Sequence, residues 1–150
     1  MNLNKRRLLG ILLLVLDLLW IAFIIMRSLQ PADNSDKESA LFLTLLQRLF
    51  PQITMHIVRK LAHFTEFFLL GGLLGLSCAV LWRPMLWQPL LGGVLVAACD
   101  ETVQLFVVGR SGQLKDVALD SAGVLTALLL LWLLLYMRKK CNIFPKKSSK

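Results

Sequence analysis

Ionisable side chains stand inside three apolar stretches of this sequence, where charged groups are energetically costly and usually functional. A histidine near carboxylates suits general acid–base chemistry. Arginine and lysine beside them suit the binding of an anionic group. The ionisable residues are Arg59, Lys60, His63 and Glu66 around the start of one stretch, Asp100 and Glu101 near the end of the next, and Arg110, Asp116 and Asp120 around the start of the last. Gln104 is a further polar residue beside Asp100 and Glu101.

General acid–base catalysis is one interpretation of this set. His63 titrates near neutral pH, and Glu66 or Glu101 would supply the second group. No serine, threonine or cysteine lies in a recognisable nucleophile motif. His63, Glu66 and Glu101 are therefore the candidate acid–base residues. The candidate ligand-binding residues are Arg59, Lys60, Asp100, Gln104, Arg110, Asp116 and Asp120.

A metal site and a purely structural ion-pair network are the alternatives. His63 and Glu66 at i and i+3 could bind a divalent cation together with other carboxylates. His56 lies in the preceding loop, which leaves one histidine for such a site, so we assign no metal and no cofactor. Four basic residues, Lys115 among them, nearly balance five acidic ones. Such a set can neutralise its own buried charges in a network of ion pairs.

The composition identifies the class of protein that must position these residues. Of 150 residues, 57% are hydrophobic and 17% are charged, against roughly 25% charged in a soluble domain. The mean hydropathy is +0.67, and 37 residues are leucine, which favours helices. These figures exclude a disordered chain, a disulfide-stapled secreted domain and an ordinary soluble enzyme.

Four apolar runs are long enough to cross a bilayer, for which a helix needs about 20 residues. We predict an all-α membrane protein, a four-transmembrane-helix bundle that forms a single domain over residues 1–150. Residues 39–50 carry apolar side chains largely on one side and end at Pro51, which predicts a short amphipathic helix in the first outer loop. The predicted spans are 8–26, 61–82, 86–108 and 117–137.

The distribution of lysine and arginine predicts the orientation. With an inner N-terminus, ten basic residues fall on the inner side and seven on the outer side. The positive-inside rule then predicts a multi-pass protein of the cell membrane with both termini in the cytoplasm. The net charge of +8 flanks apolar runs in this way, which argues against nucleic-acid binding. The aromatic residues expected at the inner interface are Trp82, Trp87, Trp132 and Tyr136.

The chain order predicts that the polar residues meet. In an up-and-down bundle, the start of the second span, the end of the third and the start of the fourth lie on one side. Glu66 and Glu101 lie about 8 Å below the ends of their spans, and Asp120 about 6 Å. We therefore expect one polar cluster in the outer half of the membrane. Asp100 and Glu101 diverge by about 100°, and which of them faces the cluster stays open.

The order of these residues resembles that of the VanZ-like family of small bacterial membrane proteins. The family pattern has a lysine and a histidine opening one helix, an acidic pair with a following glutamine, and then Arg, Asp and Gly. The resemblance covers residues 56–125, and Asp120 departs from it because many members have asparagine there. The matching residues are Lys60, His63, Asp100, Glu101, Gln104, Arg110, Asp116 and Gly123.

The resemblance implies a protein that acts at the cell envelope. The founding member of the family is associated with resistance to teicoplanin, a lipid-bearing glycopeptide. We expect membrane lipids as partners, with a lipid-linked envelope precursor or a lipoglycopeptide as the ligand, and no nucleic acid. The alternatives are a structural scaffold and a small enzyme of lipid-linked substrates. A transporter is disfavoured because polar residues in one half of the membrane give no path through it.

Overall fold

The computed structural model describes residues 3–82 and 86–143, except for the side chains of residues 33–39, 41 and 141–143. Within those ranges the chain is helical and has no strand, which confirms the predicted all-α class. The basic residues Arg83, Lys146, Lys147 and Lys150, counted on the inner side above, lie outside the described residues. The helices are α1 (Leu3–Ser28), α2 (Ala32–Gln47), α3 (Met55–Leu81), α4 (Trp87–Gln104) and α5 (Leu114–Ile143).

Among the described residues, three helices are long and apolar enough to cross a membrane: α1, α3 and the part of α5 from Leu114 to Lys140. The helix α4 is shorter than the predicted span 86–108 and ends at Gln104. Beyond it the chain tightens, because the N–H groups of residues 105, 106 and 107 each donate to the carbonyl three residues back. Gly109 then adopts a φ of 77°, which a residue with a side chain rarely takes, and the chain turns towards α5.

Helices α3 and α5 make the most extensive contact in the bundle. A Cβ atom on Gly71 would lie 2.7 Å from the Cα of Val124, and one on Gly123 would lie 2.7 Å from the carbonyl oxygen of Phe64. The two backbones can touch at these points only because both residues lack a side chain. This close crossing places the start of α5 beside the start of α3.

Helix α1 runs antiparallel to α3 and is tied to it by polar contacts. The Nε of Arg6 donates to the carbonyl of Val80 at 2.6 Å, near the end of α3. In the middle of the bundle, the Ser77 hydroxyl donates to Oδ2 of the buried Asp17, also at 2.6 Å. Asp17, for which the sequence indicates no partner, therefore has one on α3.

The bundle has a small apolar core with chemically different ends. Ile24, Phe67 and Leu128 are buried in its centre. At the end that holds the N-terminus of α1, Trp132 stacks on Tyr136 with 5.6 Å between the ring centroids, and both are exposed. The opposite end holds the polar residues. Many exposed leucines cover the sides between the two ends, as expected for contact with lipid.

Candidate functional site

Polar residues from four helices meet at the end of the bundle where α1 and α4 finish and α3 and α5 begin. One potential ligand atom each from His63, Asp100 and Asp120 lie within 4.8 Å of one another. Asp100 and Asp120 are both 0% exposed. These three residues come from α3, α4 and α5, which are the three elements whose polar ends the sequence predicts on one side.

Asp100 is the member of the acidic pair that faces this centre. Its Oδ1 accepts a hydrogen bond from the Ser28 hydroxyl on α1, and its Oδ2 accepts one from Nε2 of Gln104 at 2.9 Å. The buried face of α4 also includes Gly93 and Ala97, at the helical spacing i, i+4, i+7 and i+11 that ends at Asp100 and Gln104. Because the small residues Gly93 and Ala97 turn this face of α4 into the bundle, Asp100 on the same face also points inwards.

Glu101 turns instead to the loop between α4 and α5. Its Oε2 accepts the backbone N–H of Gln113 at 2.8 Å, and its Oε1 lies 3.4 Å from Nε2 of Gln104. A Cβ atom on Gly112 would lie 2.3 Å from the carbonyl oxygen of Glu101, so the loop packs directly on the end of α4. Glu101 therefore holds the loop, although it also lines the cavity described below.

Glu66 is engaged by a residue of α1. Its Oε1 forms an ion pair with Nε of Arg27 at 3.0 Å. The Arg27 guanidinium also lies 5.9 Å from the centroid of the Phe23 ring, within the range of a cation–π contact. His63 directs its Nδ1 towards Oδ2 of Asp100, at 3.8 Å. The two candidate acid–base residues on α3 are thus engaged by different helices.

Basic residues make further contacts around the site. Arg110 donates to the carbonyl of Gln30 at 2.8 Å and to that of Arg27 at 3.2 Å, and so ties the α4–α5 loop to the end of α1. The Nζ of Lys60 forms an ion pair with Oδ1 of Asp116 at 2.9 Å. Lys115 is exposed and is not among the residues that line the cavity.

These residues surround a polar cavity of about 110 Å³. His56 contributes to it, since α3 begins at Met55 and places His56 on the helix rather than in the loop expected from the sequence. Arginine and lysine outnumber carboxylates in the lining by three to two, which favours an anionic occupant. The lining residues are His56, Arg59, Lys60, His63, Glu101, Gln104, Gly109, Arg110, Ser111, Gln113, Asp116 and Leu119.

An apolar groove of about 470 Å³ lies on the other side of α3, between that helix, α1 and α2. Trp20, Phe23 and Phe42 contribute aromatic side chains to it. A small recess lies between the two spaces: it shares Arg59, His63 and Arg110 with the cavity and Arg27, Ala62 and Glu66 with the groove. The polar cavity and the apolar groove are therefore neighbours, with the Arg27–Glu66 ion pair at the recess between them.

Sequence reasoning missed the contribution of α1 to this site. Arg27, Ser28 and Gln30 all contact predicted site residues, yet they follow the first apolar run as ordinary flanking residues. The available signal was their position, because the end of the first span lies on the same side as the other polar ends. Gln113 was also missed, since it acts through its backbone N–H.

One of three comparisons with known proteins gives a match. No curated protein and no solved structure gives a significant match to the chain. The sequence model of the VanZ/LLP1 family matches residues 13–135, a range that includes the polar residues of α3, α4 and α5. The chain therefore belongs to the VanZ/LLP1 family.

Proposed function

We propose that this protein is a cell-envelope membrane protein that binds an amphipathic ligand, lipid-linked or lipid-bearing, and that it contributes in this way to teicoplanin-type resistance. The observation that carries the proposal is that the polar cavity and the apolar groove are neighbours, with a small recess lined by residues of both. An amphipathic ligand would place an anionic group in the first and a lipid chain in the second.

The proposal includes a multi-pass topology with four spans and both termini in the cytoplasm. Helix α4 would be the fourth span, since its 18 residues give a length of about 27 Å, close to the roughly 30 Å of a hydrocarbon core. The polar cavity would then open at the outer face, and α2 would lie in the outer interface. The aromatic residues Trp82, Trp87, Trp132 and Tyr136 would lie at the inner interface.

The anionic group would be bound by Arg59, Lys60 and Arg110, which line the cavity. A guanidinium donates two parallel hydrogen bonds to a carboxylate or phosphate, and an ammonium adds a point charge. The Lys60–Asp116 pair is partly exposed, with 37% and 25% of the side chains accessible, so an anion can reach Lys60 without unfolding the site. Glu101 and Gln113 would hold the loop that forms one wall.

Drug susceptibility tests the proposal. The wild type, Lys60→Gln and Lys115→Gln would be expressed in a sensitive Gram-positive host, with membrane levels checked by blot. We expect wild type to raise tolerance of teicoplanin but not of vancomycin, and Lys60→Gln to lose this effect. Lys115→Gln removes the same charge outside the cavity and should retain the effect. Unchanged susceptibility with well-expressed wild type would refute the proposed role in resistance.

A structural scaffold is the second candidate, and the Arg27–Glu66 and Lys60–Asp116 ion pairs favour it. In that case the polar residues only fix the positions of the helices. Lys60→Gln would then lower the amount of protein in the membrane in proportion to any loss of effect. A loss of effect at an unchanged protein level would exclude this candidate.

A further inference from the structure

Two residues at the centre of the site present buried ligand atoms that have no hydrogen bond among the described residues. Neither Oδ1 nor Oδ2 of Asp120 has a hydrogen-bond partner among the described residues, although this side chain is 0% exposed. The Nδ1 of His63 is buried and has none either, since 3.8 Å to Asp100 is too long for a hydrogen bond. Buried polar atoms are nearly always satisfied, so these atoms indicate a missing partner.

We propose that His63, Asp100 and Asp120 bind a divalent transition-metal ion such as Zn²⁺ or Mn²⁺. The ligand atoms lie within 4.8 Å of one another, and a shift of under about 1 Å would bring them to ordinary metal–ligand distances of about 2.0–2.2 Å. One imidazole nitrogen and two carboxylates form a mixed ligand set that suits these ions better than Ca²⁺. The site goes beyond the proposed function, which needs no metal.

Three basic residues near the site have contacts with groups other than Asp100 and Asp120. Lys60 contacts Asp116, Arg27 contacts Glu66, and Arg110 contacts backbone carbonyls. No described residue donates a hydrogen bond to Asp120. A doubly charged ion would therefore neutralise two buried carboxylates that lie near each other, which is the compensation that buried charges require.

Hydrogen bonds orient the Asp100 carboxylate as they orient the ligands of protein metal sites. Ser28 and Gln104 each donate to one of its oxygens, and a carboxylate oxygen that accepts one hydrogen bond keeps a second lone pair. His63 also lines the polar cavity, which gives the ion a route of entry and leaves room for a water or an anionic group beside it.

Metal binding tests the inference directly. Full-length protein without a histidine tag would be purified in detergent, dialysed against Zn²⁺ or Mn²⁺, and measured by mass spectrometry for metal per chain. Wild type should bind one ion per chain. Asp120→Asn and His63→Gln should each weaken binding by at least about tenfold, in line with the losses seen when metal sites are altered. Two variants are used because either alone could fold poorly.

Asp17→Asn is the matched control, since it makes the same change at a buried aspartate that contacts Ser77 instead. This variant should bind metal like wild type. Thermal unfolding with and without Zn²⁺ gives a second, independent readout. If metal binds, Zn²⁺ should raise the melting temperature of wild type but not of Asp120→Asn. Wild type that binds no more metal than Asp120→Asn would overturn the inference.

Discussion

The crossing of α3 and α5 predicts opposite effects for the same substitution at two adjacent glycines. In Gly71→Ala, the new Cβ would lie 2.7 Å from both the Cα and the carbonyl oxygen of Val124. Ordinary contact begins at 3.4 Å, so the helices must separate by about 0.7 Å, because a backbone cannot rotate out of the way. In Gly72→Ala, the new Cβ would meet no atom within 4 Å.

The magnitudes follow from two terms. Overpacking of this kind costs about 1–3 kcal/mol, whereas alanine in place of glycine within a helix gains about 0.5–1 kcal/mol. Both variants gain stability from alanine in the helix, and only Gly71→Ala also loses stability from overpacking. The free energies of unfolding should therefore differ by about 1–3 kcal/mol, with Gly72→Ala at or above wild type.

Unfolding in mixed detergent and dodecyl sulfate micelles, followed by circular dichroism, measures this difference. Gly123→Ala provides an independent check from the other helix, since its Cβ would lie 2.7 Å from the Phe64 carbonyl oxygen and 3.2 Å from the Phe68 nitrogen. It should resemble Gly71→Ala. Equal stability of the Gly71 and Gly72 variants would show that the backbones do not touch and would refute the reasoning.

Three further predictions concern polar contacts and the loop. Ser77→Ala removes the donor to buried Asp17 and should lower the free energy of unfolding by about 1–3 kcal/mol; an unchanged value would exclude that bond. A double-mutant cycle of Arg27→Gln and Glu66→Gln should give a coupling of about 1 kcal/mol, because the pair is only partly exposed; zero coupling would show that the two side chains act separately. Gly109→Ala forces a side chain to a φ of 77° and should destabilise by about 1 kcal/mol, measured as faster proteolysis of the α4–α5 loop; unaltered proteolysis would contradict it.

The meeting of the polar residues at one end of the bundle could be predicted from the chain order, because this prediction needs no knowledge of how each helix is rotated. Wherever helices alternate in direction, the start of α3, the end of α4 and the start of α5 share one end of the bundle. The residue types then place His63 and Asp120 in the same neighbourhood, and the structure has them there. The helix boundaries were less accurate, since α3 extends beyond its apolar run to Met55 and includes His56.

Which side chain each polar residue contacts could not be predicted from the chain order. Whether Asp100 or Glu101 faces the centre depends on how α4 is rotated. That rotation follows from Gly93, where a Cβ would lie 2.7 Å from the side chain of Val124. The engagement of Glu66 by Arg27 depends on how α1 lies against α3, and nothing in the local pattern around either residue encodes it.

The sequence by itself determined the all-helical class of the protein and the end of the bundle where the polar residues gather, because hydropathy and chain direction act over whole elements. Only the tertiary structure decided which atoms are satisfied there and which are not. Ser28 and Gln104 each donate a hydrogen bond to one oxygen of Asp100, while both oxygens of Asp120 have no partner among the described residues. That distinction requires side-chain positions to within about an ångström, since a hydrogen bond is lost between about 3.2 and 3.6 Å, and only the packing of helices determines positions at that scale.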